Sequence, residues 1–403
     1  MKTVLFVGAG RHQRSAILQA RERGLRVVAI DRNAGAPGLQ DADVAEVVDF
    51  ADVRAAIEAA RRNAVDGVLT VSADRAVPIV AAVAEALGLP GIGTETAHLM
   101  TNKVAMRRAL EGADVPQPTF AAVHDLREGR AAVEAMGLPA VLKPSDSSGQ
   151  RGLFRLDSTA DLETHLPESL AQSPSEEVII ESFHEGLEVN CLAVVRHGEV
   201  TVLTLSDRRR PTGIGFGVCL YHVFPSTIPG DVLTETVRVV ADALRALGLR
   251  DSLAYPQLLV SADGVRVIEV AARIPGGQMA EVARLGVGVD LVEVSLRQAL
   301  GEKVPDELVL PRQAQPLAIR FFTADPGPLP TGKVRHVGGL ERILSCPGVV
   351  RAESYIVPGE TIRPVQLDGD RRGYVIALGE TAAQALERAE AAALKLDVEV
   401  EPL

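Results

Sequence analysis

The sequence contains no tryptophan, and only 3% of its 403 residues are aromatic. Proteins that hold single-stranded nucleic acid stack the bases on aromatic side chains, so this scarcity argues against such a role. The formal net charge of -11 also argues against nucleic acid as a general partner, while a local basic site stays open. We therefore expect small-molecule substrates and no nucleic acid.

Cysteines and long apolar runs are also scarce. The three cysteines, Cys191, Cys219 and Cys346, are far apart and odd in number. They match neither a zinc spacing nor a disulfide framework, which indicates a reduced, cytoplasmic setting. The apolar start VLFVGAG is shorter than a signal-peptide core, and no small-residue cleavage site follows it. We expect no membrane-spanning segment.

Residues 1–100 alternate short apolar runs with helical stretches, which predicts a parallel sheet covered by helices. The turn at residues 8–10, GAG, precedes a helix and then a strand that ends at Asp31. This order only weakly matches a dinucleotide-binding fingerprint, because Gln13 occupies the position of the third glycine. We predict an open α/β pre-domain without a cofactor.

The rest of the chain divides into two further units. Pro116 and Pro118 mark the entry into a central unit, and beyond Pro305 short strands are separated by glycine and proline. The fold class is therefore α/β (α+β overall). The predicted divisions are a pre-domain at 1–100, a central domain at 101–310 with a lid at about 115–185, and a β-rich C-terminal domain at 311–403.

Residues 253–279, LAYPQLLVSADGVRVIEVAARIPGGQM, predict two strands joined by a turn. Glu269 lies inside the apolar second strand, and Arg273 follows four residues later. A carboxylate in such a strand is costly unless a cation neutralises it. Two explanations stay open. Either Glu269 and Arg273 form an ion pair, or Glu269 binds Mg²⁺ beside an arginine that steadies phosphoryl oxygens.

Two lysines precede this hairpin in positions that suit phosphate binding. Lys103 falls in the first turn of a helix for which Thr101 is the predicted N-cap, where the helix dipole disfavours a cation. Lys143 ends an apolar strand and is followed at 145–152 by SDSSGQRG. A flexible loop with hydroxyls, glycines and an arginine after a strand lysine suits a phosphate cover.

A further strand and a long loop carry the remaining candidates. The strand at 177–183 places Glu181 and the backbone of Ser182 and Phe183 where an adenine edge would fit. Glu188 lies in the segment that follows, where ribose hydroxyls would fit. Ordinary strand-end acids are the alternative. Residues 207–230 predict a long loop that forms a substrate wall, with His222 as a candidate base, or else a simple surface insertion.

Taken in order, these motifs resemble the ATP-grasp superfamily along the whole chain. The motifs are Lys103, VLKP around Lys143, SSGQRG, VIIESFHEGLEV and IEVAARIPGG. Within that superfamily, E-x-A-A-R followed by glycine, together with the tail from about 332 to 398, is similar to the L-amino-acid (dipeptide) ligases. Carboxylases and carbamoyl-phosphate synthases more often carry asparagine where this chain has Ala271.

The resemblance implies an ATP-grasp core with a lid, ATP and Mg²⁺ (or Mn²⁺) as cofactors, and a role for each matching residue. Lys103 and Lys143 would contact the α- and β-phosphates. Glu269 would bind the metal, and Arg273 would hold the transferred phosphoryl group. The other implied contacts are Ser147, Ser148, Gly149 and Gly152 over the phosphates, Glu181, Ser182 and Phe183 at adenine, and Glu188 at ribose.

One position departs from the pattern of the family. The second metal carboxylate, expected about twelve residues before Glu269, falls at Gln257. A glutamine ligates through its carbonyl oxygen but brings no negative charge. The number and tightness of the metal ions therefore stay open.

The resemblance implies an ATP-dependent carboxylate–amine ligase. Such an enzyme activates an amino-acid carboxylate as an acyl phosphate, joins it to an amine and releases ADP and phosphate. In this chemistry Arg273, Lys143 and His222 are the candidate catalytic residues. An ATP-dependent carboxylase or carbamoyl-phosphate-synthase-like enzyme that uses bicarbonate is the alternative, and a nucleotide-binding regulator without catalysis is a third possibility. We expect a homodimer, the common default.

Overall fold

The computed structural model describes residues 1–49, 51–211 and 216–401. The N-terminal part contains a parallel four-stranded sheet in which helices alternate with strands. Its elements are β1 (Thr3–Val7), α1 (Arg11–Glu22), β2 (Arg26–Asp31), α2 (Pro37–Asp41), β3 (Val44–Val47), α3 (Val53–Arg62), β4 (Gly67–Leu69), α4 (Val77–Leu87) and α5 (Thr94–Thr101). The strand order is β3-β2-β1-β4, which confirms the predicted open parallel sheet.

The glycine turn after β1 is held by side chains of this same part of the chain. Gly8 adopts a positive φ of 93°, and the N–H of Ala9 donates to the carboxylate of Asp31 at 2.8 Å. Gln13 is buried, and its amide donates to the carbonyl of Val71 after β4. Gln13, which occupies the position of the third glycine, therefore connects helix α1 to the segment that follows β4.

The next segment forms a helix and a separate small sheet. Its elements are α6 (Lys103–Glu111), β5 (Phe120–Val123), α7 (Leu126–Met136), β6 (Ala140–Pro144), β7 (Phe154–Leu156), α8 (Thr159–Ala171) and β8 (Val178–Ser182). The strands pair in the order β5-β8-β6-β7, all antiparallel. This sheet has its own hydrophobic core, which includes Leu142, Leu156 and Leu162. The segment predicted to be a lid thus packs as one unit.

The predicted cap of α6 is wrong by one residue. Asn102 is the N-cap, and its side chain accepts from the N–H of Ala105 at 2.8 Å. Thr101 instead ends α5, where its hydroxyl donates to the carbonyl of Ala97 at 2.7 Å. Two helices meet at this point, so the threonine belongs to the first and the asparagine serves the second.

A large antiparallel sheet forms the centre of the protein. The elements that follow the lid are β9 (Leu187–Arg196), β10 (Glu199–Arg209), β11 (Tyr221–Phe224), α9 (Gly230–Ala246), β12 (Ser252–Ser261), β13 (Gly264–Ala271), α10 (Met279–Glu281), α11 (Leu291–Ala299), β14 (Leu317–Phe321), β15 (Gly332–Gly338), α12 (Leu340–Leu344), β16 (Val349–Ser354), β17 (Thr361–Ile362), β18 (Gly373–Leu378), α13 (Ala382–Ala393) and β19 (Asp397–Glu401). The eight strands of the large sheet run β13-β12-β9-β10-β11-β14-β18-β16, and a small sheet runs β17-β15-β19.

The large sheet continues across the predicted boundary at residue 310. Strand β11 pairs with β14, and β14 pairs with β18. The C-terminal part is rich in strands, as expected, but three of those strands extend the central sheet. The domain limits at 100 and 310 therefore stay predictions. Among the helices that the structure describes, none is long and apolar enough to cross a membrane.

The prediction of one continuous loop at 207–230 is wrong for residues 207–209 and 221–224, which belong to strands β10 and β11. Strand β10 extends to Arg209 and pairs with β11, with Arg208 opposite His222. Polar residues of this hairpin are buried because other side chains satisfy them. The carboxylate of Asp207 accepts from the hydroxyls of Ser226 and Thr227, each at 2.6 Å. The strand was not predicted because several of its buried residues are polar, so it lacks the apolar pattern that indicates a strand. Residues 212–215 of the predicted loop lie outside the described residues.

Candidate active site

Two adjoining cavities lie where the lid segment faces the large sheet. They share Lys143, Gln150, Leu153, Gln257 and Glu269 in their walls. Apart from Gly152 and His222, each predicted site residue lines at least one of them. The first cavity contains Lys103, Lys143, Ser147, Ser148, Gly149, Gln257, Glu269 and Arg273, and the second contains Glu181, Ser182, Phe183 and Glu188. The fold therefore gathers residues that are far apart in sequence.

Lys103 ties the first turn of α6 to the loop that follows β6. Its ammonium donates to the carbonyl of Ser147 at 2.8 Å and lies 3.3 Å from the carboxylate of Glu269. Its backbone N–H donates to the carbonyl of Ser145 at 2.7 Å. Glu269 thus offsets a cation at the positive end of a helix, in a place where phosphate would do the same.

Gly152 closes the same loop by packing. Its φ is 69°, and a Cβ there would lie 2.8 Å from the ring of Pro144. Its carbonyl also accepts a hydrogen bond from the hydroxyl of Ser169 at 2.9 Å. Gly152 therefore holds the end of the loop against the lid and does not line the cavity.

Lys143 belongs to a buried cluster of three charges. Its ammonium donates to one oxygen of Glu181 at 2.6 Å, and Arg107 donates to the other at 2.8 Å. Arg107 also donates to the carbonyls of Val267 and Ile268, at 3.2 and 2.6 Å, next to Glu269 on β13. Glu181 therefore links α6, the lid and the central sheet.

This pairing sets the protonation of Glu181. Burial alone would raise the pKa of its carboxyl group, but the charges and hydrogen bonds of Arg107 and Lys143 lower it to about 2. Both carboxylate oxygens are occupied by these donors, so Glu181 holds Lys143 in place. Its contact with adenine stays a prediction. Arg107 was missed by the sequence analysis, and the available signal was an arginine on the buried face of α6.

Arg273 is held by an acid from the N-terminal part, in the 3-10 turn Asp74–Ala76 between β4 and α4. Its Nε and Nη2 atoms lie 2.7 and 2.6 Å from Oδ1 of Asp74, which is 199 residues away in sequence. The N–H of Ser72 also donates to the carbonyl of Ile274 at 2.9 Å, which joins the two segments. The sequence left open an ion pair between Glu269 and Arg273. Instead, Glu269 faces Lys103 and Arg273 binds Asp74.

The charges of this pair reinforce each other. Burial opposes ionisation of both groups, yet the Arg273 guanidinium, with a contribution from Lys103, lowers the pKa of Asp74. In the same way Asp74 raises the pKa of Arg273 against the effect of burial. The arginine therefore keeps its charge inside the protein.

Gln257 and Glu269 are direct neighbours across β12 and β13, and both line the two cavities. Among the residues that the structure describes, no three histidine, cysteine, aspartate or glutamate side chains are grouped to hold a metal ion. One carboxylate beside one amide oxygen fits Mg²⁺, which usually takes few protein ligands and completes its shell with phosphate and water.

The second cavity has apolar walls and a paired acid. Val141, Phe183 and Leu259 contribute to its walls. Glu188 lies between Arg208 and Arg210, whose Nε is 2.6 Å from the carboxylate. The backbone N–H groups of Ser182 and Phe183 donate to carbonyls of the lid segment at 3.0 and 3.3 Å. A flat apolar ring fits these walls, and the adenine and ribose contacts stay predictions.

The prediction of His222 as an exposed loop residue is wrong in its placement. It lies on β11 with only 3% of its surface exposed, and its Nδ1 is 2.9 Å from the amide nitrogen of Asn190. Its Nε2 is 3.4 Å from the sulfur of Cys219. Burial, then the charges of Arg208 and Arg371, lower its pKa well below the ordinary value. It is not among the residues that line either cavity, and its role as a base stays a prediction.

Comparison with known proteins identifies the family. Three family models match in order: an ATP-grasp N-terminal domain at residues 17–91, an ATP-grasp domain at 108–276 and the L-amino acid ligase C-terminal domain 2 at 320–401. An L-amino acid ligase from Bacillus licheniformis has the same fold, with a TM-score of 0.85 and 22% identity over 100% of this chain and 99% of that one.

Two curated relatives are similar along most of the chain. One is an uncharacterized protein of Sinorhizobium fredii, 28% identical over 83% of this chain and 68% of its own. The other is a formate-dependent phosphoribosylglycinamide formyltransferase of Ignicoccus hospitalis, 26% identical over 96% and 94%. The chain belongs to the ATP-grasp superfamily, among its ADP-forming carbon–nitrogen ligases. Its C-terminal part matches the L-amino acid ligases.

Replacing Asp74 with asparagine would leave the buried guanidinium of Arg273 without its counter-charge and free to shift. We expect kcat for ADP release to fall roughly 10- to 100-fold, with little change in the KM for ATP, because misplacing a reacting group costs rate. Asp66→Asn is the control, since the carboxylate of Asp66 accepts a hydrogen bond from the N–H of Thr3 at 2.7 Å elsewhere in the N-terminal part. Normal kcat in folded Asp74→Asn protein, or an equal loss in the control, would contradict this role.

Replacing Glu181 with glutamine would leave Arg107 and Lys143 without their carboxylate. We expect the free energy of unfolding at pH 7 to fall by about 3–5 kcal/mol, measured by urea unfolding. The pKa of Glu181 is lowered from 4.5 to about 2, so its stabilisation is full above pH 4.5 and is lost as pH falls toward 2.

The difference between wild type and Glu181→Gln should therefore shrink between pH 7 and pH 3.5. Glu163→Gln removes an exposed lid pair with Arg130 and should change stability by less than about 1 kcal/mol. A difference between wild type and Glu181→Gln that does not depend on pH would exclude this account of the cluster.

Replacing Gln257 with glutamate would place a second carboxylate opposite Glu269. We expect the Mg²⁺ concentration for half-maximal ADP release to fall roughly tenfold, because added ligand charge tightens metal binding. Gln150→Glu adds the same charge elsewhere in the cavity wall and should not lower this concentration. Equal Mg²⁺ titrations of wild type and Gln257→Glu would remove residue 257 from the metal site.

Proposed function

We propose that the protein activates the carboxylate of an amino acid as an acyl phosphate and joins it to an amine, releasing ADP and phosphate. The supporting observation is the single cavity in which Lys103, Lys143, Arg273 and Glu269 converge beneath the loop at 147–152. The C-terminal match to L-amino acid ligases favours an amino acid as the acid that is activated.

The chemistry explains why this cavity carries so many cations. A carboxylate is a poor electrophile, and an amide does not form from it spontaneously in water. Transfer of the γ-phosphoryl group makes it reactive, and the protein has to align the two anions and neutralise their charge. Alignment of reactants supplies up to about 7–11 kcal/mol, and one preorganised donor about 3–4 kcal/mol.

Each phosphate-facing residue has a role in this scheme. Lys103 and Lys143 hold the α- and β-phosphates, and the loop from Ser147 to Gly152 covers them. Arg273 holds the transferred phosphoryl group and then the oxyanion that forms when the amine attacks. The fixed position of Arg273 against Asp74 suits this task, because a preorganised charge costs no rearrangement during the reaction.

Glu269 and Gln257 would hold Mg²⁺, or Mn²⁺, which prefers the same oxygen ligands. When bound, the metal would neutralise part of the phosphate charge. The apolar second cavity would take adenine against Phe183, with the backbone of Ser182 and Phe183 at its edge. Glu188 would accept from the ribose hydroxyls while it keeps its arginine partners.

The described lining of the first cavity contains no histidine that could take the proton of the attacking amine. His222 is unprotonated at neutral pH, but it does not line either cavity and is engaged by Asn190 and Cys219. We therefore do not place the deprotonation step on His222. A homodimer of this chain remains our proposal for the assembly.

The test is ADP release from Mg²⁺-ATP with single amino acids, each with and without hydroxylamine, which traps an acyl phosphate as a hydroxamate. We expect a hydroxamate with at least one amino acid and none with Glu269→Gln protein that remains folded. ADP release only with bicarbonate would favour the carboxylase alternative, and a response only to formate would make formate the activated acid. ATP binding without turnover on any acid would contradict the proposal.

A further inference from the structure

Asp368 lines the same cavity as Lys103, Lys143 and Arg273, although no sequence motif marks it. It begins a short 3-10 turn, Asp368–Asp370, in the C-terminal part of the chain. Its backbone N–H donates to the carbonyl of Gly149 at 3.4 Å, so this turn contacts the loop that covers the cavity. Asp368 therefore brings a side-chain carboxylate from the C-terminal part of the chain into the cavity where we propose that the acid is activated.

Three carboxylates are among the described residues that line this cavity, and each has a cation nearby. Asp74 binds Arg273, and Glu269 lies 3.3 Å from Lys103. Oδ2 of Asp368 lies 3.5 Å from Arg371. Oδ1 of Asp368 is buried and has no hydrogen-bond partner in the part of the chain that the structure describes. Buried polar atoms in folded proteins almost always have a partner, so an exception indicates a donor that arrives with a ligand.

The arginines near Asp368 are committed to other contacts. Arg371 reaches Oδ2 of Asp368 only at 3.5 Å, and its guanidinium lies 4.4 Å above the ring of Phe321. Arg208 binds Glu188 and the carbonyl of Gly217. Neither arginine satisfies Oδ1.

From this arrangement we infer that Asp368 receives the ammonium group of the amino acid whose carboxylate is activated. The inference rests on the proposed function. In an α-amino acid the ammonium and the carboxylate are attached to the same carbon, so a carboxylate that reaches Arg273 brings its ammonium into the same cavity. That cation needs an anionic acceptor, and among the described lining carboxylates Asp368 has a buried oxygen, Oδ1, without a hydrogen-bond partner.

Mg²⁺ is the competing partner, since the second metal acid is missing at Gln257. The ammonium is the partner that we favour, because Glu269 and Gln257 already offer the few oxygen ligands that Mg²⁺ takes from a protein. Glu269 and Gln257 also come from one hairpin, whereas Asp368 comes from the C-terminal turn. The consequence is selectivity: the enzyme takes α-amino acids and discriminates against plain carboxylic acids of the same size.

The experiment compares hydroxamate formation from the preferred amino acid with that from its analogue lacking the amino group. The ratio of the two kcat/KM values is measured for wild type, Asp368→Asn and Asp368→Glu. We expect the ratio to fall about 10- to 100-fold in Asp368→Asn, because a hydrogen bond to a charged group is lost. Asp368→Glu should restore part of the ratio, and the KM for ATP should not change.

Asp370→Asn is the matched control, since Asp370 in the same turn accepts from the N–H groups of Gln366 and Leu367, each at 3.0 Å. Damage to the turn would lower activity with both substrates and leave the ratio unchanged. An unchanged ratio in Asp368→Asn, or a raised Mg²⁺ requirement with both substrates alike, would overturn this inference alone. Wild-type protein that forms no hydroxamate from any amino acid would overturn the proposed function, and this inference with it.

Discussion

The buried carboxylate of Glu181 is the contact on which the rest of the site depends. It accepts from Lys143 on one side and from Arg107 on the other, and only 2% of its side chain is exposed. Removing this carboxylate would leave two cations inside the protein without their counter-charge, which is far more costly than losing a surface ion pair. Because Arg107 also binds two carbonyls beside Glu269, Lys143 in the lid segment and strand β13 are fixed relative to each other.

Ion pairs between distant segments also fix the other cations of the site. Arg273 follows strand β13 but is held by Asp74 from the N-terminal part, and Lys103 begins a helix but is held by the loop after β6 and by Glu269. Each of these cations thus has its partner on another element. The N-terminal part, which carries no predicted phosphate contact of its own, therefore fixes the position of Arg273 in the cavity.

The local sequence was sufficient to predict which cations belong to the site and which strands, helices and loops carry them. The parallel N-terminal sheet, the 253–279 hairpin and the loop after Lys143 each follow from short-range patterns of apolar residues and glycines. The partners were not predictable in this way. Asp74, Arg107 and Asp368 are ordinary in their local sequence, and only the packing of distant elements brings them to the cavity.

The hairpin of β10 and β11 was not predicted from the sequence, for a related reason. Asp207 and Arg208 look like loop residues, but each is buried because the fold supplies Ser226, Thr227 or Glu188 as a partner. A pattern based on apolar residues cannot recognise a strand whose buried positions are charged. The misplacement of His222 on an exposed loop followed directly from this error.

The electrostatics of the cavity also suggest why Gln257 is tolerated. The described lining includes four cations, Lys103, Lys143, Arg151 and Arg273, and only three carboxylates. Burial and the nearby charge of Arg75 lower the pKa of Arg151, so the covering loop places a cation where its charge is disfavoured. A phosphate anion would relieve that cost. With glutamine at 257, where the family resemblance implies a second metal acid, the described lining keeps an excess of positive charge, which favours an anionic ligand.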